Sequence, residues 1–196
     1  MIRLLPSSTT LPALLVAVGA LLLGPCSTPS AFAQAKKPEA KKEEPKAAAP
    51  AKPAAIDKIN DWGVYAVGAG KAKACYVMAE PKERAPKTLK RDPGYIFITQ
   101  RPGEGVRNEV SVVMGFDVKT DSAPKAEIGS VSFAMIAKGA NLWLKNPAQE
   151  GDFVAALRKS PRLIVKADSL RGNTTTDTYA LAGVGAALDR AGKECQ

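Results

Sequence analysis

From about residue 59 onward, apolar and polar positions mostly alternate with a period of two, the spacing of half-buried strands. Asp61-Trp-Gly-Val-Tyr-Ala-Val67 reads as a strand, Gly68-Ala-Gly-Lys71 as a turn, and Ala72 to Ala79 as a second strand. In that second strand Cys75, Val77 and Ala79 share one face, and Tyr76 and Met78 the other. Gly94–Gln100 and Asn108–Met114 are two further strands. Glu127–Ile136 reads as a single strand in which Gly129 marks a bulge. Leu142-Trp-Leu144 is a short edge strand. Pro161–Asp168 and Thr174–Leu181 form a hairpin through Leu170-Arg-Gly-Asn173. Pro81–Pro93 and Phe116–Lys125 read as loops.

Two stretches change to helical spacing. Asp152–Lys159 places Phe153, Ala156 and Leu157 on one side, with Asp152 as its cap and Arg158 and Lys159 at its negative end. Val184–Ala191 aligns Leu181 or Val184 with Leu188 and Ala191, and Cys195 follows about one turn later. Many short strands with two short helices predict a mainly β fold of β-sandwich type.

The N-terminal third carries neither pattern. Residues 1–33 have the layout of a signal peptide: Arg3, an apolar run over Leu11–Leu23, and Ala31-Phe-Ala33, which puts cleavage between Ala33 and Gln34. The run is shorter than the roughly 20 residues of a membrane span, so no integral span is expected after cleavage. An uncleaved anchor is a second reading. A lipoprotein attached at Cys26 is a third, and Pro25 fits it poorly. Residues 34–58 reduce to Lys, Glu, Ala and Pro and offer almost nothing to bury, which predicts a disordered linker. The folded domain is then 59–196.

The chain has 28 Lys and Arg against 19 Asp and Glu, net +9. Such a balance draws the protein to anionic surfaces. Export points that attraction to lipid headgroups or envelope polymers rather than to nucleic acid. Lys82, Arg84, Lys87, Lys90 and Arg91 make a basic loop, either a solvated face or a contact for an anionic surface. Cys26 departs with the signal, leaving Cys75 and Cys195 as an even pair in an oxidising compartment. A disulfide between them is the economical pairing, worth about 4.7 kcal/mol for a loop of ~100 residues. Two separate thiols are the other reading.

The chain contains no histidine. That excludes Ser-His-Asp and Cys-His catalysis, histidine-bound zinc and a histidine proton shuttle. Gly68-Ala-Gly-Lys71 fails as a phosphate loop because Ala72 follows the lysine, and Gly183-Val-Gly185 lacks a third glycine. Glu104, Glu109, Asp117 and Glu127 have no spacing that selects two of them as a glycosidase pair. The expectation is a protein that is not an enzyme and takes no metal and no cofactor. A histidine-free hydrolase is the rival class.

In order, Asp61-Trp-Gly-Val-Tyr65, Cys75-Tyr-Val-Met-Ala-Glu-Pro-Lys82, Arg91-Asp-Pro-Gly-Tyr95, Arg101-Pro102 and Asn108-Glu-Val-Ser111 resemble the invasion-associated locus B family of exported Gram-negative proteins. Glu127-Ile-Gly129, Phe133-Ala-Met135, the Trp143 segment and Val154–Lys159 continue the resemblance. Arg171–Gly183, Ala187-Leu-Asp-Arg190 and Glu194-Cys195 complete it. The resemblance spans nearly all of the chain from Asn60. It implies an immunoglobulin-like β-sandwich in the periplasm or cell envelope, or secreted. It also implies, in some members, a role in entry into host cells. The expectation for this chain is action through surface binding, with an envelope or host-surface component as partner. Envelope maintenance or stress protection without a host role is the alternative. Many members have Trp-x-x-x-Cys after the opening tryptophan. Here that position is Ala66, which leaves Cys75 to pair with Cys195.

Overall fold

The computed structural model describes residues 52–196. The signal peptide, the Ala33–Gln34 cleavage site and most of the linker reading lie outside the described residues. Eleven strands and two α-helices follow in the order β1 (Ala54–Ile59), β2 (Trp62–Val67), β3 (Ala74–Ala79), β4 (Glu83–Ala85), β5 (Tyr95–Arg101), β6 (Val106–Val113), β7 (Lys125–Ile128), β8 (Val131–Lys138), β9 (Asn141–Leu144), α1 (Glu150–Lys159), β10 (Arg162–Asp168), β11 (Thr174–Ala180) and α2 (Val184–Glu194). The fold is mainly β.

The strands pair antiparallel in one ladder, β1-β2-β3-β5-β6-β9-β8-β7-β10-β11-β4. This differs from the two separate sheets of the expected immunoglobulin-like sandwich. The corner is β8: Val131–Ala134 pair with β7, and Met135–Lys138 pair with β9. One strand therefore serves both halves. At about 4.8 Å per strand step, β2 and β11 would lie about 38 Å apart in a flat sheet. Instead Trp62 Nε1 donates to Ala180 O at 3.1 Å, and Arg84 Nη2 on β4 donates to Met114 O, just past β6, at 2.7 Å. The ladder curls until its far end meets its beginning.

The inward positions of both halves make one core. Trp62, Ile96, Ile98, Leu142, Phe153 and Tyr179 are all fully buried within it. Helix α1 adds Phe153, Val154 and Leu157, and Phe153 meets Phe133 edge-on at 5.0 Å. Helix α2 lays Val184, Ala187, Leu188 and Ala191 on the sheet. Cys75 on β3 and Cys195 at the end of α2 form the disulfide, with Cα atoms 5.9 Å apart. Lys73 and Glu194 pair beside it at 3.0 Å.

Five local readings change, the first being that Pro81–Pro93, read as a loop, contains strand β4 paired with β11. Strand β1 begins at Ala54, inside the stretch assigned to the linker; only Ile56 and Ile59 in it are partly buried, so it carries no apolar alternation. A tight turn at Asn60 (φ 54°) and Asp61 pairs it with β2. Glu127–Ile136 is not one bulged strand: Gly129, at φ 60°, and Ser130 turn the chain between β7 and β8. Leu142–Leu144 belongs to β9, which is internal, between β6 and β8. Asp152 lies inside the first turn of α1 and does not cap it; the helix follows Gln149 without a side-chain cap, and Asn146 caps the short turn ahead of it, accepting from Ala148 N at 3.1 Å.

Candidate functional site

Two surfaces stand out, one apolar and one charged. The first is the outer face of the sheet's first half. Because Val64, Val77, Ile98, Val112 and Leu142 point inward, their neighbours in sequence point out. Register then brings Gly63, Met78, Phe97, Ser111, Trp143 and Ile136 directly opposite one another across six strands. Tyr65 bends back so that its ring covers Gly63, where a Cβ would stand 2.6 Å from Cε2. Tyr65 stacks on Tyr76 at 5.1 Å, Tyr76 meets Phe97 at 5.8 Å, and Phe97 meets Tyr95 at 6.1 Å. Burial, and then the neighbouring Tyr65, push the Tyr76 phenol's pKa up. These rings are half-buried, and Ile136 is 49% exposed. At one end of the row a 690 Å³ cleft adds Asp57, Lys58, Asp61 and Lys82 to Tyr65 and Met78.

The second surface begins from the basic loop, which the structure divides. Lys87 and Lys90 are exposed. Lys82 is half-exposed and pairs with Asp61. Arg84 and Arg91 are not solvated contacts: both turn inward onto the fully buried carboxylate of Asp177 on β11. Arg84 Nε donates at 3.1 Å and Arg91 Nη1 at 2.9 Å. Arg84 spends its remaining reach on Asp92 O and Met114 O, both at 2.7 Å. Burial raises the pKa of Asp177, and the two guanidiniums oppose that shift. Asp177 is invisible as a site in a threonine-rich strand. Its signal is positional, since Thr175, Asp177 and Tyr179 share the inward face.

Gly115 lets the loop close over this cluster. It sits at φ 68°, a Cβ there would stand 2.1 Å from Asp92 O, and its own carbonyl accepts from Asp92 N at 3.1 Å. Beside the cluster lies a 490 Å³ cleft between this loop and the turn after β10.

Of the acidic residues weighed as a hydrolytic pair, Glu104 and Glu109 meet, but on either side of a shared arginine, and Asp117 and Glu127 lie elsewhere. Glu104 and Glu109 each hold Arg101, at 2.7 and 2.9 Å. Glu127 joins Lys125 and Lys166, both at 2.8 Å, and Asp117 lines the 490 Å³ cleft. Among the described residues no three His, Cys, Asp or Glu side chains gather as a metal site, and no helix is long and apolar enough to cross a membrane. Compared with family models, characterised proteins and solved structures, the chain matches none.

Proposed function

We propose that this chain is an exported envelope protein, akin to the invasion-associated locus B family, that acts by binding at a surface rather than by chemistry. The observation that carries the reading is the aromatic row on the outer sheet face. A packed core has no use for rings on its solvent side. A contiguous partly exposed apolar patch is the usual mark of an interaction surface. Aromatic side chains also give much contact area for little ordering cost. The row is spread along a sheet face rather than gathered in a pocket, which suits a macromolecular component of the envelope or host surface better than a small substrate. The Cys75–Cys195 bridge agrees with an oxidising compartment.

Two measurements test this. Fractionation of the source cells should find the protein cut after Ala33, outside the cytosol and resistant to thiol alkylation. A photocrosslinking residue placed at Tyr76 should then capture one reproducible envelope component in intact cells, and the same residue at Lys119 should not. Full-length protein in the cytosol with both thiols reactive would defeat the export reading. Equal labelling from both positions would defeat the binding face.

A further inference from the structure

We propose that the 490 Å³ cleft beside Asp177 binds a small amphiphilic oxyanion. Its phosphate-type group is held by Arg91, and its apolar part lies on Leu89, Phe116 and Leu170. This site is separate from the aromatic row and stands whether or not the chain is exported.

The argument begins with charge. Two arginines share one carboxylate, so the Arg84–Asp177–Arg91 cluster holds a surplus positive charge. The Arg91 side chain is only 5% exposed, and of its N–H groups only those on Nη1 meet an acceptor, Asp177. Among the described residues Tyr179 Oη is the one fully buried side-chain polar atom left without a partner. The unused Arg91 nitrogens therefore retain accessible surface, and Arg91 lines the cleft. A guanidinium with free donors inside a pocket is matched to an oxyanion.

The rest of the lining agrees. Lys90 and Arg171 bring the bases to three, against the two acids Asp92 and Asp117. Ser169 Oγ accepts from Asn173 N at 3.1 Å, so its own O–H remains free to donate, whereas the Thr175 hydroxyl is spent on Ala167 O. The volume is within the usual range for small-ligand sites and exceeds what a bare phosphate fills. Leu170 is 64% exposed at its edge, an apolar group with no core to join. A ligand with an anionic end and a short apolar body satisfies both halves.

The full mature chain should be titrated by NMR with inorganic phosphate, with hexyl phosphate, and with phosphatidylcholine vesicles lacking or containing phosphatidic acid. Saturable shifts are expected at Arg91 and across Ser169–Asn173, with hexyl phosphate binding at least about tenfold tighter than inorganic phosphate, because each buried methylene adds roughly fourfold. Lys90→Gln and Arg171→Gln should each weaken hexyl phosphate by about fivefold or more. Leu170→Ser should remove the advantage of the alkyl chain and leave inorganic phosphate unchanged. These variants leave the Asp177 cluster intact. Vesicle binding that hexyl phosphate displaces assigns the cleft to a lipid headgroup. Hexyl phosphate binding without vesicle binding assigns it to a soluble organic phosphate. No saturable shift in the cleft, vesicle binding without hexyl phosphate binding, or binding indifferent to both charge variants overturns the proposal.

Discussion

The ring of Tyr65 rests on the backbone of Gly63, so close that a methyl group at position 63 would stand 2.6 Å from the ring carbon Cε2. Gly63 has no positive φ to explain it. It is glycine because the ring needs the space. Gly63→Ala should displace Tyr65 and open its stacking with Tyr76 while leaving the inward core untouched. The expected readouts are altered tyrosine near-UV circular dichroism and about 1–3 kcal/mol of lost stability, the usual cost of overpacking. Tyr65→Ala combined with Gly63→Ala should recover part of that loss, because the clash then has no second partner.

Among the described residues Asp177 is the one charged residue buried outright. Asp177→Asn keeps the shape and leaves two inward guanidiniums without their counter-charge. Breaking a buried pair in this way costs about 3–5 kcal/mol. Chemical denaturation should show that loss. The exposed pair offers an internal comparison: Lys82→Ala, at a side chain 55% exposed, should cost under about 1 kcal/mol.

The disulfide joins residues 120 apart, so it constrains nearly the whole unfolded domain. The double replacement Cys75→Ala and Cys195→Ala should lower stability by about 2–5 kcal/mol. Reduction of the wild type should reproduce the loss, and reduction of the double variant should change nothing.

Hydrogen bonds from Arg101 hold the Glu109 carboxyl below its ordinary 4.5. Its contribution to stability is therefore complete above pH 4.5 and is lost as the pH falls through the lower folded value. Both partners are partly exposed, so the contribution stays below about 1 kcal/mol. The stability difference between wild type and Glu109→Gln should be constant from about pH 6 to 8, where a protein without histidine has no side chain at its ordinary pKa to titrate. It should vanish at strongly acid pH.

Strand content, both helices and the cysteine pairing were legible because each rests on local spacing or simple counting. Cys75, Val77 and Ala79 do face inward, and α2 does end at Cys195. What escaped depends on register and on distant partners. Alternation separates Tyr76 and Met78 from Cys75, Val77 and Ala79, but nothing local says which face is outward or that Phe97, Trp143 and Ile136 continue it across neighbouring strands. Strand β4 is three residues held by main-chain pairing inside a polar loop, and so looked like that loop. Arg84 and Arg91 resemble solvated bases until Asp177, more than eighty residues later, is folded beside them.

Strand β1 has mechanical meaning. Its one strand partner is β2, and Ile56 and Ile59 add its only packing on the core, beside α2. A pull arriving at Lys52 would first have to part its ladder with β2 and lift those two isoleucines, as far as the reversal at Asn60. There it would meet Trp62, sunk in the core and bolted by its indole to Ala180. The first strand can thus peel away under tension as a fuse, sparing the domain behind it.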